Sequence, residues 1–132
     1  MDRDPLVDKG HTLIDLLEAE GLKIAVAIWI QNPEADAWRF WLTPEDKLDD
    51  KREFYRRIAE IIAKHRDVLP DLDASDTELI SKDNPVVKSM RGLFSVKERS
   101  LVRLTNCTID SVFIPAALIL KYDFPVPAQR QK

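Results

Sequence analysis

The segment from Leu22 to Thr43 constrains this chain most. Ile24, Val26, Ile28 and Ile30 alternate with Ala25, Ala27 and Trp29, a β-branched period-two run that predicts a strand. Asn32-Pro33-Glu34-Ala35-Asp36 is rich in turn formers, and Trp38-Arg39-Phe40-Trp41-Leu42-Thr43 returns as a second strand. If residues 33–36 form the loop, Trp29 faces Phe40 and Ile28 faces Trp41. Both faces of this hairpin are then apolar, and all 3 tryptophans of the chain lie on it. A small antiparallel sheet ordinarily leaves one face wet. Either helices cover both faces here, or one face meets a partner, and Trp29, Arg39 and Trp41 are the expected contact residues in the second case.

Helical patterns flank the hairpin. Leu6, Leu13, Ile14 and Leu17 recur at helical spacing after Asp4-Pro5, a capping residue followed by a proline suited to the first helical position, and Gly21 is placed to end that helix. A second helix is predicted from about Lys51 to Arg66. It has Asp50 as N-cap, Glu53 in capping-box register, a buried stripe of Phe54, Ile58, Ile61 and Ile62, and i,i+4 pairs Glu53/Arg57 and Glu60/Lys64. Leu69–Asp76 reads as a loop and Thr77–Ser81 as a short strand. Asn84-Pro85 starts a short helix to Arg91, with Gly92 as its stop, burying Val86, Val87 and Met90. Leu101–Thr108 and Ser111–Tyr122 are two further strands, with Pro115 expected at an edge or a bulge because it has no N–H to give a ladder.

The order α-β-β-α-β-α-β-β predicts a single α+β domain over residues 1–122. It would be a mixed or antiparallel sheet of about five strands, packed by two longer helices and one short one. Residues 123–132, with Pro125 and Pro127 among polar residues, are expected to fray as a flexible tail.

Composition removes several activities. The 3 glycines, Gly10, Gly21 and Gly92, are too far apart for GxGxxG or GxxxxGK[ST]. One Cys and 2 His cannot build a Cys/His zinc site or an intramolecular disulfide, so no cofactor and no metal site is expected. The acidic opening Met1-Asp2-Arg3-Asp4 is unlike a secretory signal, and no apolar run approaches the roughly 18 residues of a membrane span. With a lone thiol, these features point to the cytoplasm and away from membranes. Asn106-Cys107-Thr108 fits a glycosylation acceptor, which has no meaning without secretion.

The net charge of −3 disfavours a dedicated nucleic-acid coat, but charge is unevenly spread. Residues 67–83 hold Asp67, Asp71, Asp73, Asp76, Glu78 and Asp83 against Lys82. Residues 88–103 hold Lys88, Arg91, Lys97, Arg99 and Arg103 against Glu98. Either the two blocks neutralise one another across the fold or they face partners. Arg91, Lys97, Arg99 and Arg103, with Phe94 among them, are the residues that would contact phosphates in a nucleic-acid-associated factor.

Catalytic alternatives are incomplete. Asp71-Leu72-Asp73-Ala74-Ser75-Asp76 begins like a calcium loop, then puts Asp76 at the glycine position and Lys82 where a bidentate Glu belongs. Asp71, Asp73 and Glu78 are the carboxylates a metal-dependent hydrolase or nuclease would use, but the acid-x-Lys step of such sites is missing. Cys107 with His11 or His65 as base and Asp110 as orienter would be a nucleophilic set, yet nothing local activates the thiol, and a buried inert cysteine is the plainer expectation. Both histidines fit structural roles, His65 at a helix C-terminus where a cation suits the dipole.

Several stretches together resemble a group of small uncharacterised bacterial proteins. They are Leu13-Ile14 through Gly21, Val26-Ala27-Ile28-Trp29-Ile30, Trp38-Arg39-Phe40 through Thr43-Pro44, and Phe54-Tyr55-Arg56-Arg57-Ile58. Asn106–Ile109 and Val112-Phe113-Ile114 complete the pattern. The resemblance covers most of the chain, implies a bacterial domain, and carries no activity and no site residues. The leading expectation is a non-enzymatic accessory or protein-interaction domain, acting on a protein partner or as a homodimer.

Overall fold

The structure, a computed structural model, describes residues 5–32, 37–45, 50–70, 72–90, 101–109 and 111–122. The expected α+β architecture is present. Helix α1 (Pro5–Ala19) is followed by strands β1 (Ile24–Asn32) and β2 (Ala37–Pro44), then by helix α2 (Lys51–Lys64). A 3₁₀ turn over Ala74–Asp76 leads into β3 (Thr77–Leu79), and α3 (Pro85–Ser89), β4 (Val102–Ile109) and β5 (Val112–Tyr122) follow. The sheet order is β3-β2-β1-β5-β4, antiparallel except for the parallel β2–β3 pair.

Local chemistry explains most element ends. Gly21 takes φ +92°, its N–H donates to Glu18 O at 3.0 Å, and Leu22 N–H donates to Leu17 O at 2.9 Å, a Schellman stop that needs a residue at ease in left-handed backbone. Asp50 accepts from Arg52 N and Glu53 N at the start of α2, and Asn84 accepts from Val86 N and Val87 N at the start of α3. Asp4 and Gly92 lie outside the described residues, as does the tail over 123–132.

The pairs expected along α2 are redirected. Arg56, on the middle of the helix, meets Glu53 through two nitrogens at 2.6 and 3.0 Å and Glu60 at 2.6 Å, while Lys64 reaches across to Glu20 on the turn after α1 at 3.2 Å. The Glu53 carboxylate therefore serves Arg56 with both oxygens, and the expected Glu53/Arg57 and Glu60/Lys64 pairs are replaced. Arg57 and Lys64 both turn to Glu20 instead, Arg57 donating to its backbone O at 3.4 Å and Lys64 to its carboxylate, which leaves Arg56 to bridge Glu53 and Glu60.

The hairpin has the expected register, Trp29 opposite Phe40 and Ile28 opposite Trp41. Both of its faces are covered by the chain itself. On one side Ala27, Trp29, Phe40, Leu42, Leu118 and Leu120 pack under α1 and α2. On the other, Val26, Ile28, Ile30, Ala117, Ile119 and Tyr122 pack with Ile80 and with Val86, Val87 and Met90 at α3. Tyr122 donates its hydroxyl proton to Val87 O, tying α3 to the sheet.

At Gly10, α1 lies close against the sheet: a Cβ there would overlap Leu120 Cδ1 and lie 3.0 Å from Trp29 Nε1. Two bulges adjust the faces. Ala25 is the extra residue opposite β2, which turns Ile24 toward the helices, and Leu120 is the extra residue opposite β1. The second leaves Lys121 under α1, where its ammonium lies 2.6 Å from Glu18 Oε2. The same oxygen accepts from Ile24 N at 3.3 Å, so one carboxylate holds the helix end to two strands.

Candidate interaction surface

The hairpin residues expected to meet a partner separate into different roles. Trp29 is only 2% exposed, stacks on Phe40 with ring centroids 4.5 Å apart, and donates its indole N–H to Leu6 O at 2.7 Å. Every part of that ring is engaged inside the domain, so Trp29 belongs to the core and is corrected as a contact residue. Trp41 lies on the opposite face, partly buried against the cluster around Ile28. Arg39 projects beside it with its side chain 41% exposed, yet its guanidinium is already oriented. It donates to Ser75 O at 2.7 Å and Thr77 O at 3.5 Å, and sits 3.6 Å from Glu78 Oε1. That geometry fastens the 3₁₀ turn and β3 to β2.

Glu78 of the acidic block and Arg103 of the basic block are far apart. Glu78 is on β3 and Arg103 on β4, at opposite ends of a five-stranded sheet. Four strand spacings, roughly 19 Å, separate them. Arg91, Lys97 and Arg99 lie outside the described residues, so Arg103 is the one member of the phosphate-contact set with a place in the structure.

The carboxylates of the hydrolase reading have other uses. Asp73 is the N-cap of the 3₁₀ turn, its N–H donating to Asp76 Oδ2 at 3.0 Å, and Glu78 faces Arg39. Asp71 lies outside the described residues. Among the described residues, no three His, Cys, Asp or Glu side chains are grouped as metal ligands.

Cys107 sits on β4, and its thiol is half-buried rather than buried, within 3.5 Å of Thr105 O. Its proposed orienter, Asp110, lies outside the described residues. His65 is the C-cap of α2, its N–H shared by Ile61 O and Ile62 O.

What the sequence reading missed is the far end of the β4–β5 hairpin. The last β1–β5 pair is Ile30 with Ala117, whereas β4–β5 pairing continues to Ile109 with Val112. Residues 105–109 and 111–116 thus form a two-stranded arm past the β1–β5 ladder. Pro115 falls in this arm, beyond β1, as its missing N–H requires. Opposite it, Asn106 has φ +49°, and there the regular alternation breaks. Strict alternation would group Ile114 with Leu118 and Leu120. Instead Ile114 and Ile109 join Ala117 and Ile119 in the α3-side cluster.

The rotated arm leaves Val112 44% and Phe113 49% exposed, two of the three large apolar residues so placed among the described residues; Val68 is the third. The turn that carries them is tight, with Ser111 at φ +66°.

The arm could not be told from a core strand by hydropathy alone, since Val112-Phe113-Ile114 reads like Ile28-Trp29-Ile30. Two signals were available. One is the position of Pro115, which marks where β1 can no longer pair. The other is charge: from Leu104 to Leu120 the chain has a single charged residue, Asp110, although 33% of the whole sequence is charged.

No protein-family model matches the chain, and no curated protein or solved structure is similar to it at a significant level.

Proposed function

We propose that the protein is a non-enzymatic interaction domain that meets a protein partner through the tip of the β4–β5 arm. The observation that carries this reading is the paired exposure of Val112 and Phe113 on an arm that reaches past the rest of the sheet. An exposed aromatic beside a β-branched residue on a hairpin is the composition of a contact surface, since aromatic anchors dominate interface energetics. The lone thiol fits a reducing interior, and we place the activity in the cytoplasm on that ground. No helix among the described residues is long and apolar enough to cross a membrane.

The test is affinity capture of the tagged chain from its native cell at low and high salt, with the wild type beside Phe113→Ser. Proteins retained at both salt concentrations by the wild type and lost by the variant support the reading. A captured set unchanged by Phe113→Ser overturns it. Capture of nucleic acid, lost at high salt, favours phosphate contact instead.

A further inference from the structure

We propose that the Glu18–Lys121 ion pair is a register key: with the Tyr122 hydroxyl it holds the bulge at Leu120, and so decides which of two ladders the end of β5 forms against β1.

Apolarity on both faces creates the need for such a key. β1 places Ala27 and Trp29 under α1 and α2, and Val26, Ile28 and Ile30 on the α3 side. β5 places Leu118 and Leu120 on the first side and Ala117 and Ile119 on the second. A shift of one residue would therefore oppose apolar side chains to apolar side chains on either face, and burial alone discriminates weakly between registers. No hairpin turn joins the two strands, since β2, α2, β3, α3 and β4 lie between them in the chain. Among the described residues, β4 accompanies β5 only as far as Ile119, so residues 120–122 are laddered to β1 alone.

The competing ladder is the regular continuation of the pairing. Ile28 stands opposite Ile119, and the next pair is Ala27 with Lys121, Leu120 being the extra residue. Without the bulge, Leu120 would stand opposite Ala27 and Lys121 opposite Val26. Opposed residues share a face, so Lys121 would then point to the α3 side, into the cluster of Val26, Ile28, Val86 and Val87. An ammonium there would be desolvated without the carboxylate it now has. Tyr122 would turn to the other face and lose Val87 O.

The bulged ladder avoids both losses. It directs Lys121 to α1, where Nζ lies 2.6 Å from Glu18 Oε2 with the lysine side chain only 10% exposed, and leaves Tyr122 donating to Val87 O. Glu18 is held in place for this, because the same oxygen accepts from Ile24 N at 3.3 Å. Lys121 is the single charged residue of β1 and β5, so it is the one side chain by which the two ladders differ in charge. A buried ion pair adds little net stability over an apolar replacement, yet a misplaced buried charge is costly, and that asymmetry is what selects a register.

Nuclear magnetic resonance on the full chain tests the proposal. The wild type is expected to give one set of β1 and β5 amide signals, with cross-strand contacts between Ala27 and Lys121. Lys121→Met/Tyr122→Phe makes both ladders apolar. It is expected to fold and to show a second set of signals in which Ala27 contacts Leu120, raised from below detection to more than about a tenth of the molecules. Lys121→Arg keeps the charge, and Tyr122→Phe alone keeps the ion pair; each is expected to retain the single wild-type set.

A double variant that keeps one set of signals, with Ala27 still against residue 121, overturns the proposal whether or not its denaturant midpoint falls. A double variant that unfolds outright also overturns it, because the two contacts would then supply stability and not choose between ladders. Signal doubling in Lys121→Arg does the same, since there the charge is present and the register should hold.

Discussion

The two edges of this sheet are built on opposite plans. β3 is 3 residues long, and its Leu79 N–H, which a foreign strand would otherwise take, donates to the Tyr55 hydroxyl at 2.8 Å. Arg39 and Glu78 stand over it, with Asp73, Asp76 and Lys82 close by in the chain. Thr43 donates to Ile80 O, and Ile80 N–H donates to Leu42 O, so the chain leaving β3 is fastened to β2 on both groups. β4, by contrast, is 8 residues long and exposes Arg103, Thr105, Asn106 and Thr108, and the exposed apolar tip of the arm follows directly after it. One edge is closed by short length, a side-chain cover and charge; the other is long and nearly neutral. Among the described residues, the β3 edge is kept single by several devices and the β4 edge by the bend at Asn106 and the charge of Arg103.

The largest effect on this contrast comes from opening the β3 side. Thr43 is buried, and its hydroxyl satisfies Ile80 O at 2.8 Å. Thr43→Val keeps the shape and strands that carbonyl, a loss of about 1–3 kcal/mol, read as a lower denaturant midpoint at unchanged slope. Tyr55→Phe removes the cover from Leu79 N–H and is expected to cost about 1–2 kcal/mol. Its specific signature is faster hydrogen exchange at Leu79, with the β1–β5 amides unaffected. If Leu79 exchanges at the same rate in Tyr55→Phe, the hydroxyl is not what closes that edge, and the contrast with β4 loses one of its supports.

How far such features are legible in the sequence depends on how far their causes lie apart in the chain. The caps at Asp50 and Asn84 and the stop at Gly21 are set within four residues, and the pattern contains them. The hairpin register follows from one turn and two runs, so Trp29 opposite Phe40 was available as well. The parallel placement of β3 beside β2 was not, because a 3-residue strand carries no register of its own and is held by Tyr55, Arg39 and Thr43 from elsewhere. Gly10 looked like an ordinary helix residue until Leu120 and Trp29 were brought against it. The same holds for the candidate site. Trp29 and Phe113 are both aromatic residues in apolar strands, and what separates them is that β1 has neighbours on both sides while the arm outruns β1.

Smaller effects sharpen the comparison. Arg39→Ala releases Ser75 O and Thr77 O from a half-exposed guanidinium, and solvent takes up part of the loss, so about 0.5–1 kcal/mol is expected. Phe113→Ser on the β4 side is expected to change stability by less than about 0.5 kcal/mol, because an exposed side chain leaves no cavity. Its effect should appear in association alone. A melting temperature lowered as much by Phe113→Ser as by Thr43→Val would mean that Phe113 is part of the core, and the arm would lose its claim to be a contact surface.

The smallest effect is electrostatic and belongs to α2, which packs beside β3 and the 3₁₀ turn. The hydrogen bond from Arg56 is the main reason that the Glu53 carboxyl is held below the usual glutamate range, with Arg56 and Arg57 adding through-space attraction; Arg56 is raised in turn by Glu53 and Glu60. Because the folded-state value is the lower one, the pair stabilises the fold at pH above the unfolded value of a glutamate. That contribution fades as pH falls through the folded value. Both groups are exposed, so salt and water screen the pair, and its worth is that of a surface ion pair. Glu53→Gln is therefore expected to flatten the acid limb of the stability–pH curve slightly, between the ordinary glutamate range and the more acidic values below it, and to leave the curve unchanged near neutrality in shape. Raising the salt concentration should shrink the difference between wild type and variant. A difference that persists at high salt would show the pair to be shielded from solvent.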